Sequence, residues 1–245
     1  MSRLGDFDHL SGTEVTLDQP SLSPPRTFVL DEKISEEYQT MTQQECDQGL
    51  EPPFAAIKSS CHSLLDPIQQ GFMRIYFQIP IDGTVSSTIE VRARQAISQR
   101  THTELTALTS LDHENCTVVP KLLGYREGLQ GIHEYAPDGY INCIAWARVP
   151  GAPIDFFSFW KSDFEYRQEV RSAFRTAYKC AWQPGLTPLR KLTYDDITKV
   201  IHISGFRAPF PMDTEPLSDV TYACWGLAKP SKRMDWHLDS SDWAW

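Results

Sequence analysis

The 245-residue sequence lacks the markers of several common protein classes. No apolar run reaches the roughly 18–20 residues that a membrane-spanning helix requires, and the first twelve residues contain no apolar stretch typical of a secretory signal. The six cysteines include no CxxC pair, so neither a disulfide framework nor a zinc site is indicated. These absences predict a protein of the cytoplasm or nucleus with free thiols, no metal, no cofactor and no membrane as a partner.

Positive charge is also scarce. The chain has 23 Lys and Arg against 32 Asp and Glu, which gives a formal net charge of −9. Because this balance repels phosphate backbones, it argues against nucleic acid as the main partner. The hydrophobic fraction of 41% is sufficient for a folded core, and the length fits one domain with a tail.

The composition divides the chain into three predicted parts. Residues 1–50 are polar with few apolar side chains, which predicts a disordered segment that is a dispensable tail or, alternatively, a docking arm or pocket lid. Residues 51–211 are predicted to form the main domain. Residues 212–245 contain four Trp and are predicted to pack back on that domain, with a partner-binding tail as the alternative.

Hydrophobic periodicity predicts the elements of the main domain. Helices are predicted at 54–65, 97–111 and 163–182, and strands at 72–79, 88–92, 118–125, 140–149, 192–194 and 200–203. Asp163 is the predicted N-cap of the longest helix. The buried stripe of this helix is predicted to be Phe164, Val170, Phe174, Ala177 and Ala181. The aromatic cluster at 154–160 is predicted to be core, with a pocket lining as the alternative.

Three segments carry a resemblance to a known family. They are VVPKLLGY at 118–125, ARVPG at 147–151 and KLTYDDITKVIHISGF at 191–206. Together with the helix and the Pro/Gly-rich loop before the last segment, their order resembles that of protein kinases and, more closely, of small fungal kinase-like proteins. The resemblance covers about residues 70 to 211. It implies an α+β, two-lobed protein-kinase-like fold with a truncated C-terminal lobe.

The same resemblance implies that the phosphotransfer chemistry is missing. A kinase uses an Asp as base, an Asn and an Asp for magnesium, and a Lys paired with a Glu. At the positions that match, in that order, this chain has Leu186, Lys191, Ser204, Gln78 or Arg74, and Glu104. Only the Glu is retained, and no Gly-rich phosphate loop precedes residue 72. No G-x-S-x-G motif suggests a hydrolase instead.

A cleft between the two lobes is therefore expected to bind something other than a magnesium nucleotide. The candidate ligand-binding residues are Gln78, Glu104, Trp146, Arg148, Lys191, Ser204 and Arg207. Each also has a structural interpretation: Glu104 as an ion-pair partner of Arg74 or Arg94, and Trp146 as core. No catalytic residue is assigned.

Three functions remain open from the sequence. The first is a catalytically degenerate kinase-like protein, a pseudokinase that binds a small molecule or a protein partner. The second is a small-molecule enzyme of the cyclase or isomerase type in a fungal secondary-metabolite pathway, because a shaped pocket can hold a folded conformer for reaction. The third is an atypical active phosphotransferase.

Overall fold

The computed structural model describes residues 7–20, 24–178, 182–212 and 217–245. The chain is a mixed α/β structure rich in sheet, and it divides into two compact units. The first unit takes its residues from 1–101 and 122–148, and the second from 102–121 and 149–245. No described helix is long and apolar enough to cross a bilayer.

The first unit is built on one antiparallel sheet of six strands. The strands are β1 (Glu14–Leu17), β2 (Arg26–Gln39), β3 (Phe54–Ser63), β4 (Gln70–Gln78), β5 (Leu122–Leu129) and β6 (Tyr140–Ala147), in the spatial order β1-β2-β3-β4-β6-β5. Two short helices, α1 (Gln43–Asp47) and α2 (Ile89–Ala93), and a 3-10 turn at Phe7–Leu10 complete it.

The two outer strands of this sheet approach each other. The backbones of Gln19 and Tyr125 exchange two N–H···O hydrogen bonds of 3.1 and 3.0 Å just beyond β1. Alternate side chains of the strands point to one face and form the core, which includes the fully buried Leu17, Phe28 and Ile57. The sheet therefore curves around its own apolar face.

The second unit is helical with small sheets. Its helices are α3 (Thr103–His113), α4 (Phe156–Lys161), α5 (Phe164–Ala177) and α6 (Asp219–Cys224). Its strands are β7 (Ala152–Pro153), β8 (Trp182–Pro184), β9 (Leu192–Asp195), β10 (Val200–Ile203) and β11 (Pro209–Pro211), with two 3-10 turns at Leu189–Lys191 and Trp236–Leu238. β9 lies between β10 and β7, and β8 pairs with β11.

The core of the second unit forms around α5 and the Trp-rich segment. Phe174 packs at ring-centroid distances of 5.6 Å from Tyr222 and 5.4 Å from Trp225. Arg171 is buried in the same region; its Nε donates to the carbonyl of Leu227, and its guanidinium lies 5.6 Å from the ring of Trp245. Burial lowers the pKa of Arg171 to about 10. The C-terminal tryptophans thus belong to the second unit.

Several predicted elements are confirmed. The hairpin of β9 and β10 occupies the predicted positions, β4 and β6 match the strands at 72–79 and 140–149, and the Asp163 carboxylate accepts from the backbone N–H of Tyr166 as an N-cap. Of the predicted stripe on α5, Val170, Phe174 and Ala177 are buried. Phe164 is 55% exposed, because it lies in the first turn, and Ala181 lies outside the described residues.

The helix predicted at 54–65 is wrong. This segment is β3, and it pairs with β2 on one side and β4 on the other. The strand predicted at 88–92 is also wrong, because the residues form α2 despite their β-branched composition. The strand predicted at 118–125 begins only at Leu122, since the Val118 carbonyl accepts from the N–H of Ile203 in the second unit.

The polar N-terminal segment differs from the predicted disorder. Its described residues include β1, α1 and the 14-residue β2. Few apolar side chains suffice here, because four of them alternate along β1 and the first part of β2 and are buried in the core: Val15, Leu17, Phe28 and Leu30. Residues 1–6 and 21–23 of the segment lie outside the described residues. The domain boundaries at 51 and 211 stay predictions.

Candidate functional site

Lys191 and Ser204 are brought together in the second unit. Lys191 ends the 3-10 turn that precedes β9, and Ser204 follows β10. The Lys191 carbonyl accepts from both the N–H and the hydroxyl of Ser204, at 2.9 and 3.1 Å. Gly205 has a φ of +81°, and a Cβ there would lie 2.9 Å from the Lys191 Cε. The lysine side chain therefore runs across the glycine backbone.

The acidic side chain nearest in sequence to this segment is used by the hairpin turn. The buried Asp195 accepts from the hydroxyl of Thr198 at 2.6 Å and from the N–H of Ile197 at 3.0 Å. These hydrogen bonds, above all that from Thr198, lower the pKa of Asp195. Leu186, which the sequence resemblance matches to the kinase base, is 78% exposed. The Asp195 carboxylate therefore closes the turn between β9 and β10.

Glu104 and Arg207 also belong to the second unit. Glu104 lies in the first turn of α3 and is buried. Arg207 is half-buried after β10, and this burial lowers the pKa of its guanidinium. Four of the seven predicted site residues, Glu104, Lys191, Ser204 and Arg207, thus lie in this unit.

Gln78 lies in the first unit and holds the chain that follows α2. Its amide nitrogen donates to the Gln95 carbonyl at 2.6 Å, and its amide oxygen accepts from the N–H of Ile97 at 2.8 Å. Both ends of the side chain are therefore occupied by backbone groups of the same unit. This arrangement indicates a structural role for Gln78.

Trp146 belongs to a cation–aromatic cluster on the face of the sheet opposite the core. Its ring lies 5.5 Å from the Arg74 guanidinium and 5.8 Å from the Lys58 ammonium. Lys58 also lies 4.4 Å from the ring centre of Phe72. The exposed Arg148 donates to the side chain of Gln70 at 3.2 Å. Lys58 was not among the predicted site residues because 54–65 was predicted to be a helix, and the four-residue spacing of Ile57 and Cys61 fits a helix as well as a strand.

A cavity of about 360 Å³ lies within the second unit. Three segments line it: residues 154–156 at the start of α4, 187–190 before β9, and 223–226 at the end of α6. The buried Ile154, Leu189 and Trp225 contribute apolar side chains to its wall. A second cavity of about 310 Å³ lies in the same unit beyond the end of α3. The sequence signalled the first cavity only through the aromatic cluster at 154–160.

Hydrogen bonds fix the segments around the larger cavity. The Thr187 hydroxyl donates to the Cys224 carbonyl at 3.0 Å, and the Trp160 indole N–H donates to the Gly226 carbonyl at 3.1 Å. Asp155 caps α4 by accepting from the N–H and the hydroxyl of Ser158, and these bonds lower the pKa of Asp155. The cavity is thus framed by bonded loops and helix ends.

Comparison with known proteins gives distant structural likenesses only. No protein-family model matches the chain, and no curated protein matches it either. Among solved structures, the chain is similar to the kinase PK-1 of Cydia pomonella granulovirus, with 12% sequence identity and a TM-score of 0.40. The match covers 74% of this chain and 55% of the viral kinase, so the chain spans little more than half the length of that protein. Four expectations from the sequence stay predictions: the two-lobed kinase fold, the fungal family, the metabolic pathway and the grouping of the seven candidate residues in one cleft.

Proposed function

We propose that this protein has a kinase-like order of elements, that it binds a ligand, and that it does not transfer phosphate from a magnesium nucleotide. The order of α5, a Pro/Gly-rich loop, the β9–β10 hairpin and Ser-Gly-Phe supports the kinase-like part. The proposed absence of phosphate transfer rests on one observation, the scarcity of carboxylates in the sequence around this hairpin. Residues 171–194 and 197–212 contain no Asp or Glu.

The two acids between these ranges are poorly suited to metal binding. Asp195 is engaged by Thr198 and Ile197, and Asp196 is exposed in the turn. Magnesium in nucleotide sites is held by carboxylates and phosphates, and a lysine at a metal-ligand position repels the ion. Because phosphoryl transfer depends on charge stabilisation by the metal, the arrangement of Lys191 and Ser204 disfavours it.

Thermal unfolding with ATP and excess magnesium tests this proposal. We expect the melting temperature of the protein to stay within about 1 °C of its value with ATP and EDTA, since a ligand that does not bind the native state does not stabilise it. The matched control is the variant in which the kinase residues are restored together, Leu186→Asp, Lys191→Asn and Ser204→Asp. A magnesium-dependent stabilisation of the unmodified protein by several degrees would contradict the proposal.

A further inference from the structure

The cavity framed by 154–156, 187–190 and 223–226 has the properties of a small-molecule site. Its volume of about 360 Å³ falls within the range of roughly 300–1,000 Å³ that is usual for ligand pockets. Its wall includes the buried side chains of Ile154, Leu189 and Trp225, and its rim includes Phe156, which is 42% exposed. Such a surface favours a flat apolar or aromatic body.

The polar groups at the cavity point to the charge of the ligand. Arg190 lines the cavity and is exposed, and its guanidinium forms no hydrogen bond or ion pair with the described residues. The Asp155 carboxylate keeps its negative charge, and its Oδ1 is engaged by the amide and hydroxyl of Ser158 at the start of α4. The Thr187 hydroxyl is engaged with the Cys224 carbonyl. Among the described residues that line the cavity, the charged group left without a partner is therefore the Arg190 guanidinium.

We propose that this cavity binds a small aromatic acid. The aromatic body lies against Ile154, Leu189 and Trp225, and a carboxylate or sulfonate reaches the Arg190 guanidinium, whose fork matches a planar oxyanion. The inference rests on the proposed function as a ligand-binding protein and names the class of ligand. It makes no use of magnesium or nucleotide, so the two proposals fail separately.

Two fluorescent probes of similar shape test the charge preference. Anilinonaphthalene sulfonate has an aromatic body with one anionic group, and N-phenylnaphthylamine has a similar body without the charge. We expect the full-length protein to bind the sulfonate more tightly than the amine, by about fivefold, as one charge-assisted contact at an exposed site provides. Equal affinity for the two probes would overturn the proposed role of Arg190.

Three variants assign the binding to this cavity. Arg190→Gln is expected to weaken the sulfonate about fivefold and to leave the amine within about twofold, because only the charge is removed. Ala223→Phe fills the cavity and is expected to abolish both signals. Lys232→Gln removes an exposed positive charge of the same unit that does not line the cavity, and it is expected to change neither.

Alkylation of Cys224 tests where the probe binds without the use of any variant. This thiol is exposed and lines the cavity, so bound sulfonate is expected to slow its reaction with iodoacetamide, whereas Cys46, which lines neither cavity, serves as the internal reference. Sulfonate binding that leaves the Cys224 rate unchanged would place the ligand elsewhere and overturn the inference. Protection of Cys224 in a protein that also binds magnesium–ATP would overturn only the proposed function.

Discussion

At the scale of single residues, the turn at Gly151 leaves no room for a side chain. Gly151 has a φ of +90°, and a Cβ there would lie 2.2 Å from the carbonyl oxygen of Tyr194. The clash is with backbone, which cannot rotate away, and it would separate β7 from β9. We expect Gly151→Ala to lower the free energy of unfolding by about 3 kcal/mol, measured by urea denaturation.

A variant at a second glycine, Gly83, measures the cost of backbone strain without a steric clash. Gly83 has a φ of +83°, but no described atom lies within 4 Å of the place that a Cβ would take, so Gly83→Ala carries the strain alone. We expect this variant to cost about 1 kcal/mol. Equal losses for the two variants would show that the close approach to Tyr194 is relieved at no cost.

At the scale of elements, the turn between β9 and β10 depends on an ionised carboxylate. The pKa of Asp195 is lowered by its hydrogen bonds to Thr198 and Ile197, so the stability that it contributes is present above its unfolded pKa of about 3.8. This stability is lost as the pH falls through the lower folded value. We expect Asp195→Ala to melt several degrees lower than the parent at pH 7, and the difference to shrink as the pH falls below 3.8 and through the folded pKa of Asp195.

The neighbouring Asp196 provides the control for this prediction. It is exposed in the same turn, and Asp196→Ala is expected to leave the melting temperature nearly unchanged over the same pH range. A difference between the Asp195 variant and the parent that stayed constant as the pH fell from 7 through the folded pKa of Asp195 would show that the carboxylate acts by packing and not by its charge.

Elements differ in how far their own residues define them. The β9–β10 hairpin was predictable because Asp195 and Thr198 supply the turn chemistry and apolar residues flank it on both sides. The segment 54–65 was mispredicted because its strand is stabilised by β2 and β4, which lie outside any local window. The larger cavity was predictable only on the side of the aromatic cluster at 154–160, since residues 189 and 225 are distant in sequence and only packing brings them to it.

At the scale of the whole molecule, the N-terminal strand is part of the core of the first unit. Leu17 is fully buried among the side chains that fill the curved sheet. We expect Leu17→Ala to lower the free energy of unfolding by about 3 kcal/mol, measured by urea denaturation, because it leaves a cavity in a packed core. The exposed Glu14 of the same strand is the control, and Glu14→Ala is expected to change the value by less than about 0.5 kcal/mol. Similar small effects for both would restore the interpretation of this segment as a dispensable tail.

The short length of β1 has a consequence for encounters between copies of the chain. In the described sheet, β1 pairs with β2 only as far as Val29, and the later part of β2 lies at the margin. That margin carries Asp31, Glu32, Glu36 and Glu37 against the single cation of Lys33. Like charges facing each other across a strand pair are unfavourable, so a second molecule is discouraged from joining the sheet there. The acidic side chains on this edge of β2 thus disfavour the addition of strands from other copies of the chain, which is the first step of fibrous self-association.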